Sequence, residues 1–197
     1  MKKIYKGYTI NIEHDDDPTS PREDDNLGTI VGRPGRDSLV NETSEKIPWE
    51  EFASMKEVKD YIINKYDTAV ILPVYMYSHS GVTINTTGYS CMFDSWHTGF
   101  IFVSKEKVIK EYGAINMESI DKAARLLESE IKTYDRYLQG DIYGFQITKP
   151  CVCEKCGHDE PENIDSCWGY YGEEECLKEA KSVVDGLVEK DNEKETI

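Results

Sequence analysis

The chain has 197 residues, of which 38 are acidic and 23 are basic, so its formal net charge is −15 at pH 7. A surface of this sign repels phosphate, which argues against direct binding to a DNA or RNA backbone. The length suffices for a hydrophobic core without disulfides, and no run of the sequence approaches the roughly 18 apolar residues of a membrane-spanning helix.

The N-terminal segment, MKKIYKGYTI, begins with a pair of lysines but lacks the apolar region of a signal peptide. We therefore expect the protein to act in the cytoplasm. In that compartment its six cysteines are expected to be reduced thiols or metal ligands rather than a disulfide framework.

The first quarter of the chain combines two predicted strands with an acidic segment. Alternating polar and apolar residues predict a strand over residues 3–13, KIYKGYTINIE. Seven carboxylates, two prolines and one arginine occupy the stretch IEHDDDPTSPREDDNLGTIVG, residues 12–32, which ends in a second short strand, GTIVG. Residues 33–48 are interpreted as a surface loop.

The middle of the chain predicts one helix and a set of strands. Ser54 and Glu57 have the spacing of a capping box, so a helix is expected to begin there. The apolar run AVILPVYMY predicts a central strand in which Pro73 marks a bulge or an edge position. Two further strands are predicted in GVTINTTG and DSWHTGFIFVS.

Helices dominate the next part of the sequence. Ser104 is a typical N-cap for the short helix KEKVIKEY, which Gly113 would end. Apolar residues at three- and four-residue spacing predict a long helix from Ser119 to Gln139, with Gly140 at the position that follows its C-terminus.

The C-terminal part predicts a hairpin followed by a helix. DIYGFQITK and NIDSCWGYYG are interpreted as its two strands, with a Cys-rich tip at 150–161. A last helix is expected over 173–188, and 189–197 form a polar tail. Short turns between strands and grouped helices predict an α+β fold: one domain over 1–188, mainly antiparallel β-sheet with about four helices on one face.

A zinc site is predicted at the hairpin tip. Cys153-x-x-Cys156-Gly-His158 has the shape of a zinc knuckle, in which two thiolates of one tight turn share a metal. Cys151 and His158 are the nearest candidates for the remaining ligands of one structural zinc, whereas Cys167 would lie several rungs down the ladder. Since no second Cys-x-x-Cys is present, an exposed tip without metal is the alternative.

The acidic segment is interpreted as a surface that a partner protein recognises. Its candidate partner-binding residues are Asp15, Asp16, Asp17, Glu23, Asp24 and Asp25. A calcium loop starting at Asp15 would need glycine where Ser20 stands, although a looser Mg²⁺ or Ca²⁺ cluster is an alternative. Turn chemistry from the prolines and Asn26, with Arg22 pairing locally, favours an ordered loop.

Nucleophilic catalysis has little support in the sequence. No Gly-x-Ser-x-Gly, Walker A or His-Glu-x-x-His motif is present. Cys91 with His97, or His79 with His97, is a conceivable pair, but isolated histidines are more often surface residues. No catalytic residue is assigned, and we interpret the chain as a binding protein rather than an enzyme.

Four stretches together resemble a family of small bacteriophage and mobile-element proteins of unestablished biochemical function. They are DDDPTSPREDDNLGTIV, SWHTGFIFVSKEKVIKEYG, EIKTYDRYLQGDIYGFQI and DSCWGYYG. The first resembles a Pro-x-Ser-Pro-Arg-Glu-aromatic-Asp-Asn-Leu-Gly motif, from which Asp24 departs by replacing the aromatic residue. The resemblance implies a phage or plasmid origin and brings no catalytic residues.

The leading functional hypothesis is stoichiometric inhibition of a host defence enzyme, of the anti-CRISPR or anti-restriction type, through the acidic surface. Its partner would be a nucleic-acid-binding host protein, without direct contact to nucleic acid or membrane. One alternative is a metal-dependent hydrolase or nuclease that combines the acidic segment with Asp94 or Asp165. Another is a sponge that sequesters a nucleotide signal in a tyrosine-lined pocket.

Overall fold

The structure is a computed structural model that describes residues 1–35, 39–43, 46–91, 93–152 and 159–195, with the backbone alone at 151–152, 159–160 and 191–195. Its strands are β1 (Lys2–Tyr5), β2 (Tyr8–His14), β3 (Thr29–Gly32), β4 (Thr68–Ser78), β5 (Val82–Asn85), β6 (Ser95–Ser104), β7 (Ile142–Val152) and β8 (Asp159–Tyr171). Its helices are α1 (Met55–Lys65), α2 (Lys105–Tyr112), α3 (Met117–Leu138) and α4 (Glu173–Glu195).

The chain forms two compact units. Unit 1 consists of Met1–Thr19 and Gly140–Ile197, and unit 2 consists of Ser20–Gln139. Unit 2 is therefore an insertion between β2 and β7 of unit 1. The single domain over residues 1–188 stays a prediction.

Unit 1 is a four-stranded antiparallel sheet, in the order β1-β2-β7-β8, covered by α4. Ile10 and Ile12 alternate with half-buried residues along β2, and they pack with Cys176, Ala180 and Val184 of α4. The predicted first strand is a hairpin, because the chain turns at Lys6 and Gly7. Both residues have positive φ, 47° and 82°, which matches the right-handed twist of the flanking strands.

Unit 2 is an antiparallel sheet in the order β3-β6-β4-β5 with a hydrophobic cluster on each face. Four consecutive residues of β6, Phe100 to Val103, are all buried. Ile101 and Val103 pack in the cluster that contains α2 and α3, whereas Phe100 and Phe102 pack with Val58 and Ile62 of α1. A strand that is covered on both faces has no polar alternation, and the GFIFV sequence reflects this.

The predicted α+β class, the antiparallel pairing and the four helices are confirmed. The strands form two sheets, however, and the helices of unit 2 lie on both faces of its sheet rather than on one. The helix ends also differ. α3 begins at Met117, capped by Asn116, and α4 continues to Glu195 because its Glu- and Lys-rich end contains no residue that stops a helix.

No helix among the described residues combines the length and the apolar character that a membrane crossing requires.

Candidate functional site

The centre of the Pro-Arg-Glu-x-Asp-Asn-Leu-Gly motif is the buried guanidinium of Arg22, whose side chain is 4% exposed. Its Nε and Nη2 donate to the two carboxylate oxygens of Glu42 at 2.7 and 2.8 Å. Its Nη1 donates at 3.0 Å to Glu130 Oε2 and also to Asn26 Oδ1, and Nη2 further donates to the Gly28 carbonyl at 2.8 Å. Burial acts to lower the pKa of Arg22, but the hydrogen bonds and charges of the two glutamates raise it above its ordinary value.

The two glutamates also hold the backbone around this arginine. Glu130 accepts from the amides of Leu27 and Gly28, and Glu42 Oε2 accepts from the amide of Ile30 at 2.7 Å. A buried arginine whose fork is paired with two carboxylates, which are in turn satisfied by backbone donors, is a fully connected polar network. We name Arg22, Asn26, Glu42 and Glu130 the arginine network.

The rest of the motif completes this arrangement. The Asn26 amide donates to the carbonyls of Pro21 and Asp24, both at 2.8 Å, and closes the turn around the short 3₁₀ helix Pro21–Glu23. A side chain at position 28 would clash with its neighbours, because a Cβ added to Gly28 would lie 2.7 Å from Ile101 Cδ1 and 2.8 Å from Glu130 Oε2. The prediction of an ordered loop held through Arg22 and Asn26 is therefore confirmed.

Three of the candidate partner-binding residues lie on this fixed loop. Glu23, Asp24 and Asp25 are all exposed, in the segment between the buried Pro21 and the half-buried Asn26. Their backbone is thus held by the arginine network while their carboxylates face solvent.

The other three candidates, Asp15, Asp16 and Asp17, belong to unit 1. The Asp17 amide donates to Asp15 Oδ1 at 3.2 Å, and the Asp15 amide donates to the Ile142 carbonyl at 2.9 Å. Asp16 and Asp17 are exposed and Asp15 is half-buried. The segment that is continuous in sequence is therefore divided between the two units.

The negative charge is also divided unequally. Unit 1 has 19 acidic and 9 basic residues, which is a formal net charge of −10. Unit 2 has 19 acidic and 14 basic residues over a longer stretch of chain, which is a net charge of −5. The electrostatic repulsion of phosphate is consequently strongest at unit 1.

The predicted zinc ligands fall almost entirely outside the described residues. Cys153, Cys156 and His158 are not described, and Cys151 is placed only by its backbone, which pairs with that of Glu160 in the β7–β8 ladder. The zinc site stays a prediction. Within the described ranges no three histidine, cysteine, aspartate or glutamate residues are arranged as a metal site, and the looser Mg²⁺ or Ca²⁺ cluster of the acidic segment likewise stays a prediction.

The contacts of the histidines and the cysteine considered for catalysis lead to other groups. His79 Nδ1 and Cys91 Sγ both lie near Asp94 Oδ2, at 3.7 and 3.9 Å, and the His79 side chain is 71% exposed. His97 instead contacts the Gly99 carbonyl through Nε2 at 2.9 Å.

The two C-terminal motifs have structural explanations. Asp135 Oδ1 accepts from the Thr83 hydroxyl and the Ile84 amide, both at 2.7 Å, which fastens α3 to the edge strand β5. Gly144 of β7 lies under the Trp168 ring of β8, since an added Cβ would be only 2.0 Å from Trp168 Cε3.

No family model, curated protein or solved structure matches this chain. The resemblance to a bacteriophage protein family therefore stays a prediction that depends on the four quoted stretches alone.

Proposed function

We propose that the protein acts by stoichiometric binding, as a phage or mobile-element accessory protein that inhibits a host defence enzyme in the host cytoplasm. Its carboxylates would occupy the basic cleft in which a restriction enzyme or CRISPR effector holds nucleic acid. The observation that carries the proposal is the rigid presentation of Glu23, Asp24 and Asp25 by the arginine network.

Preorganisation is the physical reason why this observation supports binding. A flexible acidic tail loses conformational entropy when it docks, whereas a loop that is already fixed loses little. The arginine network fixes the loop through hydrogen bonds among its own side chains and to backbone groups of the loop, and no carboxylate of the three exposed residues is used in doing so.

The charge of the whole chain supports the same proposal. A net charge of −15 steers the protein towards basic surfaces and disfavours direct contact with nucleic acid.

The test is inhibition of DNA cleavage by a purified restriction endonuclease or CRISPR effector, with binding measured at two ionic strengths. We expect inhibition at a one-to-one ratio and binding that weakens steeply as the Debye length falls from about 30 Å at 0.01 M salt to about 8 Å at 0.15 M. The change E23Q/D24N/D25N should weaken binding by roughly 3- to 150-fold, at roughly 0.2–1 kcal/mol per carboxylate.

The matched control is E50Q/E51Q/D60N, which removes three exposed carboxylates of unit 2 outside the acidic segment. It should leave binding nearly unchanged. A second variant, D15N/D16N/D17N, measures how much the three carboxylates of the acidic segment that lie in unit 1 contribute to binding. Binding that is insensitive to salt, or equal losses in the first set and the control, would contradict recognition of the fixed loop.

A further inference from the structure

A cavity of about 540 Å³ opens on the sheet of unit 2, beside the ends of β4, β5 and β6. The described residues that line it are Tyr75, Thr87, Gly88, Tyr89, Ser90, Ser95, Trp96 and His97. Its volume falls in the range of small-molecule sites, roughly 300–1,000 Å³. Neither the acidic segment nor the arginine network contributes to it.

The floor of the cavity is a pair of rings on neighbouring strands. Tyr75 of β4 stands directly opposite His97 of β6, and their ring centroids are 4.9 Å apart. The His97 ring in turn meets Phe100 edge-on at 4.7 Å. A β-bulge between Val74 and Tyr75 sets this register, and bulges commonly re-aim side chains next to binding sites.

The segment after β5 folds back over Tyr75 and is held by Asn85. The Asn85 Oδ1 accepts from the amides of Thr87 and Gly88 at 3.0 and 2.7 Å. Gly88 has φ of +86°, and a Cβ added there would be in ordinary van der Waals contact with the Tyr75 ring at 3.8 Å. A loop held by side-chain hydrogen bonds therefore forms part of the cavity lining.

The Tyr89 ring is also fixed. Its hydroxyl donates to Thr83 Oγ1 at 3.3 Å, and the Thr83 hydroxyl donates to Asp135 at 2.7 Å. The ring lies 5.7 Å from that of Tyr77. Two tyrosine rings are thus held beside one cavity before any ligand arrives, which lowers the entropic cost of binding.

The described lining contains no lysine, arginine, aspartate or glutamate, in a chain that carries a net charge of −15. Because His97 Nε2 faces a carbonyl oxygen, that nitrogen carries the hydrogen, and in the neutral ring Nδ1 is an acceptor. Burial lowers the pKa of His97, which keeps the ring neutral. The serine and threonine hydroxyls provide further donors and acceptors.

We propose that this cavity binds a neutral planar heterocycle of the nucleobase class, stacked on a tyrosine ring and hydrogen-bonded at its edge by hydroxyls. The aromatic rings offer flat apolar faces, and every nucleobase has a π-face for stacking. A phosphate group would find no cation in the described lining, so the base rather than the phosphate is recognised. This site differs from the acidic surface and does not depend on it.

The experiment is an NMR titration of the full chain with adenosine, guanosine, cytidine and uridine, following the aromatic signals of Tyr75, Tyr89 and His97. We expect at least one nucleoside to shift these signals saturably, and its 5′-monophosphate to bind no more tightly. Tyr89→Leu should weaken binding by roughly 5- to 150-fold, which corresponds to the loss of one stacking contact.

Tyr61→Leu is the matched control, because it makes the same change on α1, outside the cavity. Circular dichroism of both variants separates loss of binding from loss of fold. If Tyr89→Leu does not fold, His97→Gln serves as the second variant, because it replaces the imidazole ring in the cavity lining by a side chain that is still polar. The proposal is overturned if no nucleoside shifts the three signals at millimolar concentration. It is also overturned if methyl glucoside binds as well as the nucleosides, or if a monophosphate binds much more tightly than its nucleoside.

Discussion

At the scale of single residues, Arg22 has the largest structural role in the first motif. It is the only lysine or arginine in residues 12–32, and sequence reasoning correctly expects it to pair locally. The structure identifies the partners, Glu42 and Glu130, which lie 20 and 108 positions away along the chain. Neither glutamate differs in its sequence context from other surface glutamates, so no local signal identifies them.

We predict that Arg22→Ala lowers the free energy of unfolding by about 3–5 kcal/mol, since it leaves two largely buried carboxylates without their cation. Arg22→Lys should recover only part of this loss, because an ammonium cannot match the paired geometry of the guanidinium. Urea denaturation of the purified variants measures both.

The control for this prediction is Arg125→Ala. Arg125 pairs with Asp121 at 2.8 Å on the surface of α3, but its side chain is 78% exposed. The change should therefore cost about 0.5 kcal/mol or less. If Arg22→Ala and Arg125→Ala lowered the free energy of unfolding by similar amounts, this would contradict the central role of the buried network.

At the scale of elements, the β7–β8 hairpin shows how two motifs that are distant in sequence depend on each other. Gly144 and Trp168 belong to separate motifs, yet the ring of one strand covers the glycine of the other. The register of the two strands shifts between Tyr143 and Phe145 at this point. The glycine is needed because no side chain fits beneath the indole.

We predict that Gly144→Ala lowers the free energy of unfolding by about 1–3 kcal/mol, the usual cost of overpacking, and displaces Trp168. Urea denaturation gives the first quantity, and the change in Trp168 fluorescence gives the second. A Trp168→Leu background should reduce the cost of the alanine, because it removes the clash.

Gly186→Ala is the matched control within unit 1. This glycine lies in α4 with no atom near the position of an added Cβ, so alanine should stabilise the protein by about 0.5–1 kcal/mol through the helix preference. If both glycine variants changed stability in the same direction, the packing of Trp168 on Gly144 would not explain the motif.

At the scale of the whole molecule, the dominant property is the net charge of −15. Like charges within a folded unit repel each other and lower its stability, and dissolved salt screens this repulsion. The same screening weakens attraction to a basic partner. Salt should therefore have opposite effects on the fold and on the proposed complex.

We predict that the free energy of unfolding rises when salt increases from about 0.01 M to about 0.15 M, by tenths of a kcal/mol to about 1 kcal/mol. The variant E174Q/E175Q/E179Q removes three exposed charges from unit 1 and should show a smaller rise. Urea denaturation at the two salt concentrations checks both, and a fall in stability with salt would show that attractive pairs dominate instead.

The sequence by itself determined the features that depend on neighbours along the chain. The Ser54 and Ser104 caps, the positive φ of Gly113 and Gly140, and the apolar periodicity of α3 are local, and the structure confirms each of them. The order of the acidic segment was also predictable, because proline and Asn26 define a turn within a few residues.

Only the tertiary structure decided which distant residues meet. The insertion of unit 2 between β2 and β7 and the cavity beside Tyr75 and His97 arise from strand pairing between separate stretches of chain. The two glutamates reach Arg22 from the segment after β3 and from α3. The sequence of a β-strand shows its alternating period but does not identify the strand with which it pairs, since backbone hydrogen bonds are the same for every strand. The partner is chosen by the packing of complete faces, which no local pattern encodes.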